Sequence, residues 1–410
     1  MGQPFDAAGD GMPTGFFPAV EPDAAVLPLL RRLGRAVQAE VERHHGAEAT
    51  IHTELRADRT SDGGARLLRF YWSLQRADDE SPMGFAARTV YCDKKDPAPR
   101  VHVFPSEPVL TRLADEHGPL LEDGSAGRVE ILRYIPLRRL TFRLRDGAGL
   151  APSVIAKVKR PSGLNRAATA FLAVQEAAHR RGFDALTVPR VLRHDPVRQV
   201  LYLEELPGRS LDVALYGLDL TAAMEHLAVC HRDLQELDVR GDLPRKGTAD
   251  WLEDARQAAT QIGLFAPSKA GPAAAVYDWL VRAAPEDGRP LYCQGDFLPA
   301  QILCDTAGWA IIDLDDSRYA DPLSDVAALY AALPREHAIP PARVDEARRT
   351  YLEAYARRAG GDLDASRWRW FLTMVELSLL AKRLAKGRAT TAEVTRVLDE
   401  LASPRASDLP

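Results

Sequence analysis

Asp296 and Asp313 frame the stretch that most limits how this chain can fold. Asp296 lies in the run Cys293-Gln294-Gly295-Asp296-Phe297-Leu298-Pro299-Ala300, and five positions on comes Gln301. Apolar Ile302-Leu303 follows, then polar residues, then Ala310-Ile311-Ile312 and Asp313. Two short apolar runs around a turn read as a hairpin, with strands expected over 301–304 and 310–314. A hairpin there brings Asp296, Gln301 and Asp313 to one end. One carboxylate that orients a hydroxyl proton, beside a carboxylate and an amide oxygen suited to a hard divalent ion, is a set of groups that phosphoryl transfer uses.

The same stretch resembles the aminoglycoside phosphotransferase and choline kinase family, which shares the protein-kinase-like fold. The family's run reads His-Gly-Asp, Asn five positions on, Ile-Asp, Gly-Asp-Pro and Asp-Leu-Ala. This chain reads Gln294-Gly295-Asp296, Gln301, Ile312-Asp313, Ala320-Asp321-Pro322 and Asp325-Val326-Ala327. Three departures stand out. Gln294 replaces a His that is usually structural, Ala320 replaces a turn Gly, and Gln301 replaces the metal-binding Asn. Gln301 keeps the amide oxygen on a longer arm, and is similar to maltokinase-like bacterial members. The resemblance implies Asp296 as the catalytic base, Gln301 and Asp313 as Mg²⁺ ligands, and ATP as phosphoryl donor.

A rival triplet, His231-Arg232-Asp233, spells the protein-kinase catalytic motif more closely. It is set aside because Asp238, not an amide, stands five positions after Asp233, and because Asp313 lies far downstream. The spacing Leu227, Cys230, His231, Leu234, Leu237 is helical. It resembles the family's Leu-His helix behind the active site.

Upstream, Val154-Ile155-Ala156-Lys157 is similar to the kinase strand whose lysine neutralises nucleotide phosphates and pairs with a helix glutamate. Lys157 is therefore expected at the phosphates, with Lys159 the runner-up on the same face. Glu176 is the one carboxylate in the helix expected over 165–181, and so the expected partner of Lys157. Leu203-Glu204-Glu205, within Leu201–Gly208, resembles the family's hinge, where backbone groups bind adenine. The first hairpin turn, Pro136-Leu137-Arg138, has no glycine to let the backbone approach phosphates. Arg138 and Arg139 are the expected substitutes, among a crowd that includes Arg133, Arg143 and Arg145. The Asp315-Asp316 pair is read as a candidate for a cationic acceptor, and the stripe Trp368, Trp370, Phe371, Met374 chiefly as core.

These readings give an α+β chain: a two-lobed protein-kinase-like fold with an N-terminal α+β accessory unit. Residues 1–20 are expected to be a flexible tail. The accessory unit spans 21–125, with a helix over 24–45, three strands near 50–55, 66–74 and 85–91, and a short helix near 109–117. The N-lobe spans 126–207 and a mostly helical C-lobe 208–410. The 410 residues suit two or three domains. Lys and Arg total 53 against 58 Asp and Glu, a balance that argues against a nucleic-acid partner. No apolar run approaches the ~18 residues that cross a membrane, so no membrane role is expected. The first residues carry neither a basic nor an apolar leader region. The four cysteines form no CxxC pair, which argues against zinc or a disulfide framework and for the cytoplasm. The expected acceptor is a hydroxyl of a small molecule, antibiotic or sugar, or a peptide Ser/Thr in a biosynthetic pathway, where a partner protein is a candidate. The alternative is a pseudokinase that binds nucleotide or a peptide without turnover, for which Gln294, Gln301 and the glycine-free turn speak.

Overall fold

The computed structural model describes residues 50–61, 65–75, 86–92, 100–103, 128–135, 139–145, 152–183, 186–214, 219–305, 308–333, 340–385 and 388–402, with helical positions 36 and 39. The tail expected over 1–20, most of the helix expected over 24–45 and the short helix expected near 109–117 lie outside these.

Four strands form an antiparallel sheet in chain order: β1 (Thr50–Ser61), β2 (Ala65–Gln75), β3 (Ala86–Cys92) and β4 (Arg100–Val103). The last of these is an addition to the three strands expected. Its Val101 pairs with Val90 of β3.

A second antiparallel sheet has the order β5-β6-β7-β9-β8: β5 (Arg128–Ile135), β6 (Arg139–Arg145), β7 (Val154–Lys159), β8 (Val191–Asp195) and β9 (Val200–Glu204). Alternation splits it into two faces. Leu140, Phe142 and Leu144 of β6 join Ala156, Val158, Val200 and Tyr202 in one small core. The opposite face carries Arg139, Thr141 and Arg143, with Ile155, Lys157 and Lys159 across from them in register. Strand β8 begins two residues later than the expected 189–192, after Pro189, which has no N–H for a ladder.

Helix α1 (Pro161–Arg181) joins β7 to β8. It starts four residues earlier than expected because Pro161, with its fixed φ, suits a first helical position. It stops at Gly182, whose left-handed φ of 63° lets the cap N–H reach Ala178 and His179 carbonyls. Its buried stripe is Leu164, Ala167, Ala168, Phe171, Val174, at helical spacing.

After β10 (Arg209–Ser210) and the short α2 (Leu211–Ala214) the chain is mainly helical: α3 (Leu220–Gln235), α4 (Thr248–Phe265), α5 (Ala270–Arg282), α6 (Leu323–Ala332), α7 (Pro341–Ala359), α8 (Ala365–Ala385) and α9 (Thr391–Ala402). Two small ribbons interrupt it. One pairs β12 (Ile302–Asp305) with β13 (Gly308–Ile311) and adds β10 at its edge. The other pairs β11 (Leu291–Cys293) with β14 (Arg318–Ala320). This second ribbon was not legible from periodicity, since three-residue strands carry no readable alternation. One continuous core runs from α1 through the helical lobe, and Trp368, Trp370, Phe371 and Met374 of α8 are buried in it as packing residues. Among the described residues no helix is long and apolar enough to cross a membrane.

Candidate active site

The hairpin forms with Ile302 opposite Ile311, and the Ile312 N–H donates to the Gln301 carbonyl at 2.9 Å. Gln301 and Asp313 therefore flank the end of the ladder. Asp313 ends the strand in a left-handed conformation, φ 62°, which Asp tolerates better than most residues. Asp296 approaches the same end through Gln294. The buried Gln294 amide accepts from the Asp296 N–H at 2.8 Å and donates to the carbonyl of Asp313 at 2.8 Å. Gln294 thus ties the Asp296 loop to the end of β13, a structural service that its residue type alone did not reveal.

Gly295 has φ 92°, and a Cβ there would run into the Asp316 carbonyl, so the turn requires glycine. Below it, the buried Asp325 carboxylate accepts from the Gln294 N–H at 2.7 Å and the Gly295 N–H at 3.1 Å. Burial pushes the Asp325 carboxyl up to about 6, against the pull of Arg318 and the two N–H groups. Arg318 also donates to the Gly295 carbonyl at 2.6 Å. The Asp296 loop is held from three sides.

Asp296 itself is raised above the ordinary carboxylate value, chiefly by burial. Lys382 of α8 and Arg133 of β5 oppose the shift, while Asp316 and Asp313 reinforce it. Desolvation beside other carboxylates is the environment that tunes a carboxylate base toward neutral pH.

Lys157 crosses from the sheet to this end of the hairpin. Its Nζ lies 2.6 Å from Asp313 Oδ1 and 3.2 Å from Asp315 Oδ1. Burial works to lower Lys157, but the two carboxylates outweigh it and raise it. Lys159 meets Asp315 Oδ2 at 2.7 Å, and Arg139 reaches both Asp313 and Asp315 at 3.3 and 3.2 Å. Burial would raise the Asp315 carboxyl, yet Lys157 and Lys159 hold it far below the usual range.

Several expectations need correction. Glu176 does not meet Lys157. It is exposed on α1 and pairs with Arg180 one turn on, while the ring of Phe171 lies 5.5 Å beneath Lys157. Asp315 is not presented to an acceptor. It is 2% exposed and holds the protein's own cations, whereas Asp316 is exposed. In the hinge, Leu203 sits opposite Ile155 on the face of Lys157. The Glu204 N–H, however, is committed to the Arg190 carbonyl at 2.9 Å, and its side chain to Arg190. The Glu205 carboxylate is held by Arg143 and Ser153, which outweigh burial and lower its pKa. Arg138 lies outside the described residues.

The rival triplet sits on α3. His231 stacks on Phe297, the neighbour of Asp296, with centroids 3.7 Å apart, and its Nδ1 lies 2.6 Å from the Tyr351 hydroxyl. Burial pushes its pKa down to about 3. Asp233 pairs instead with Arg358 of α7. Asp233→Asn is expected to leave any phosphoryl transfer at the wild-type rate and to cost up to about 1 kcal/mol of stability. Steady-state kinetics and thermal melts check this, and a folded, inactive Asp233→Asn protein would transfer the catalytic role to that residue.

The donor set suits a magnesium ion. The Asp313 carboxylate and the Gln301 amide, which flank the end of the hairpin ladder, are hard oxygen donors, and Asp313 acts on the charge of Asp296. Among the described residues no cluster of three or more His, Cys, Asp or Glu is placed to hold a metal by itself. Magnesium commonly takes only one or two carboxylates and completes its shell with phosphates and water.

A family model described as "Phosphotransferase enzyme family" matches residues 137–370, more than half of the chain. No curated protein matches it. Among solved structures, the chain is similar to a macrolide 2'-phosphotransferase from Brachybacterium faecium, with 21% identity over 72% of this chain and 97% of that one, TM-score 0.45. It is similar to an aminoglycoside phosphotransferase from Streptomyces rimosus, with 23% identity over 62% and 94%, TM-score 0.42. A choline/ethanolamine kinase family protein from Mesorhizobium loti shares 17% identity over 68% and 86%, TM-score 0.44.

Proposed function

We infer that this chain, which belongs to the phosphotransferase enzyme family, moves the terminal phosphoryl group of ATP to a hydroxyl of a small molecule, with magnesium. The observation that carries this reading is the meeting of Lys157, from the sheet, with Asp313, from the hairpin, at 2.6 Å beside Asp296. A phosphate-neutralising cation, a metal carboxylate and a base then share one cleft.

In this reading Asp296 accepts or orients the acceptor's hydroxyl proton, and burial keeps its basicity high. Lys157 and Arg139 would pair with phosphate oxygens, and Asp313 would hold the magnesium ion. Gln301 offers its amide oxygen to the same ion. Magnesium, when bound, draws charge from the phosphates and aligns the transferring group. Ile155 and Leu203 offer an apolar wall for a base. The pairing of Glu205 with Arg143 stiffens the hinge. The acceptor is read as an antibiotic or sugar hydroxyl, with a peptide Ser/Thr in a biosynthetic pathway as the other candidate. A cytoplasmic location fits the free buried Cys230, Cys293 and Cys304.

One observation favours the second reading, a pseudokinase: α1 presents Phe171 to Lys157 and its Glu176 pairs with Arg180, so Lys157 has no helix carboxylate. Release of ADP from ATP with magnesium, set beside a thermal shift by nucleotide alone, separates the two. Turnover supports the enzyme, and a shift without turnover supports the pseudokinase.

The pH dependence follows from burial. The base works ionised, so activity falls as pH drops through a value above the ordinary carboxylate range. Protonation of Asp325 near pH 6 adds to the loss by loosening the Gln294 and Gly295 N–H groups. Stability moves the other way for Asp325. Its folded carboxyl holds a proton more tightly than the unfolded one, so its contribution is fullest below about 4 and fades as pH rises through about 6. The expected rate profile has an acid limb between about 4 and 6 without unfolding. A flat profile down to pH 4 would remove Asp296 and Asp325 from the rate.

A further inference from the structure

Lys159 and Lys157 stand two residues apart on β7 and so share a face. In register, Lys159 is opposite Arg139 and Lys157 opposite Thr141. The three cations Arg139, Lys157 and Lys159 converge on two carboxylates, Asp313 and Asp315. None is widely exposed: the side chains are 18%, 10% and 14% accessible.

The charge balance of this cluster has a consequence. Three positive charges face two negative ones. If Asp313 turns to magnesium, one carboxylate remains for three cations, of which Lys157 is buried and Arg139 and Lys159 are half-buried. Two positive charges are then uncompensated, and an unpaired charge in such a place is strongly unfavourable. The anion that arrives with the metal is the phosphate chain of the nucleotide. The glycine-free turn between β5 and β6 leaves phosphate recognition to side chains, and Asp315 keeps two of its three cations, Lys157 and Lys159, on the cleft side of the sheet.

We propose that Lys159 is a second phosphate-binding lysine of the nucleotide site, and that Asp315 is the positioning residue that holds it and Lys157 ready. This rests on the nucleotide reading above. Asp315 takes the place of a helix carboxylate, because α1 presents Phe171 rather than an acid to Lys157.

Titration calorimetry with ATP, ADP and adenosine, each with magnesium, on the full chain tests it. Lys159→Met is expected to weaken ATP and ADP by roughly ten- to a hundredfold, the worth of one charge-assisted hydrogen bond, and to leave adenosine unchanged. Lys159→Arg should restore most of the ATP affinity, since it returns the charge on a similar stem. Unchanged ATP affinity in Lys159→Met, or equal losses for ATP and adenosine, would make Lys159 a purely structural ion-pair partner. If the methionine variant fails to fold, Lys159→Arg decides: ADP affinity within a few-fold of wild type supports the proposal, and loss of ADP with adenosine retained overturns it. A wild-type chain that binds adenosine but neither ATP nor ADP would overturn the proposal while leaving a nucleoside site. A chain that binds none of the three would overturn the nucleotide reading with it.

Discussion

Asp296→Asn should bind ATP as the wild type does and lose phosphoryl transfer by about 10²–10⁴-fold, the usual contribution of a positioned acid–base group. The substitution is close to isosteric, and the loop around it is fixed by other groups. Its N–H is held by the Gln294 amide, and its neighbours by Asp325 and Arg318. Removing a charge that desolvation, Asp316 and Asp313 disfavour offsets the lost attraction to Lys382 and Arg133, so stability should change little. Single-turnover kinetics beside equilibrium binding separate chemistry from affinity. Turnover within a few-fold of wild type would place the base elsewhere, with Asp233 the next residue to test.

Asp313→Ala should be the second large loss, roughly a hundredfold or more in magnesium-dependent turnover. Charge dominates the binding of a hard divalent ion, and Asp313 is the anionic member of the pair with Gln301. The same substitution frees Lys157 and Arg139 from one carboxylate. Metal-free ATP should therefore bind as tightly as before or more tightly, while the response to magnesium disappears. That combination separates a lost metal ligand from a collapsed site, in which both would vanish. Gln301→Ala should raise the magnesium requirement and leave some activity, and Gln301→Asn should be partly tolerated because it changes reach and not chemistry. A Gln301→Ala enzyme with unchanged magnesium dependence would strike Gln301 from the ligand set.

Much of the hairpin and its three polar residues was legible because short apolar runs bounded by turn residues admit few arrangements. Lys157 was legible from its strand, and α1 from its apolar period. The partner of Lys157 was misread, although the period already held the answer. Glu176 stands two positions after buried Val174 and five after Phe171, on the solvent side of the stripe. A carboxylate there cannot turn to the sheet. Asp315 was read as a candidate for a cationic acceptor because its burial depends on cations from two distant strands, β6 and β7. No local pattern records that convergence. Gln294 was counted as a departure, yet its two-headed amide supplies both a donor and an acceptor, which is what the junction between the Asp296 loop and β13 uses. The β11–β14 ribbon escaped notice for want of length, and the partners of Asp325 because an Asp on an apolar helix gives no sign of the N–H groups it caps.

The most direct test is a structure of the chain with magnesium and a non-hydrolysable ATP analogue. The expected result has the metal between Asp313, Gln301 and phosphate oxygens, Lys157 moved from Asp313 to phosphate, and the terminal phosphoryl group facing Asp296 with room for a hydroxyl between them. An analogue bound with Lys157 still on Asp313 and its terminal phosphate turned away from Asp296 contradicts phosphoryl transfer at this site.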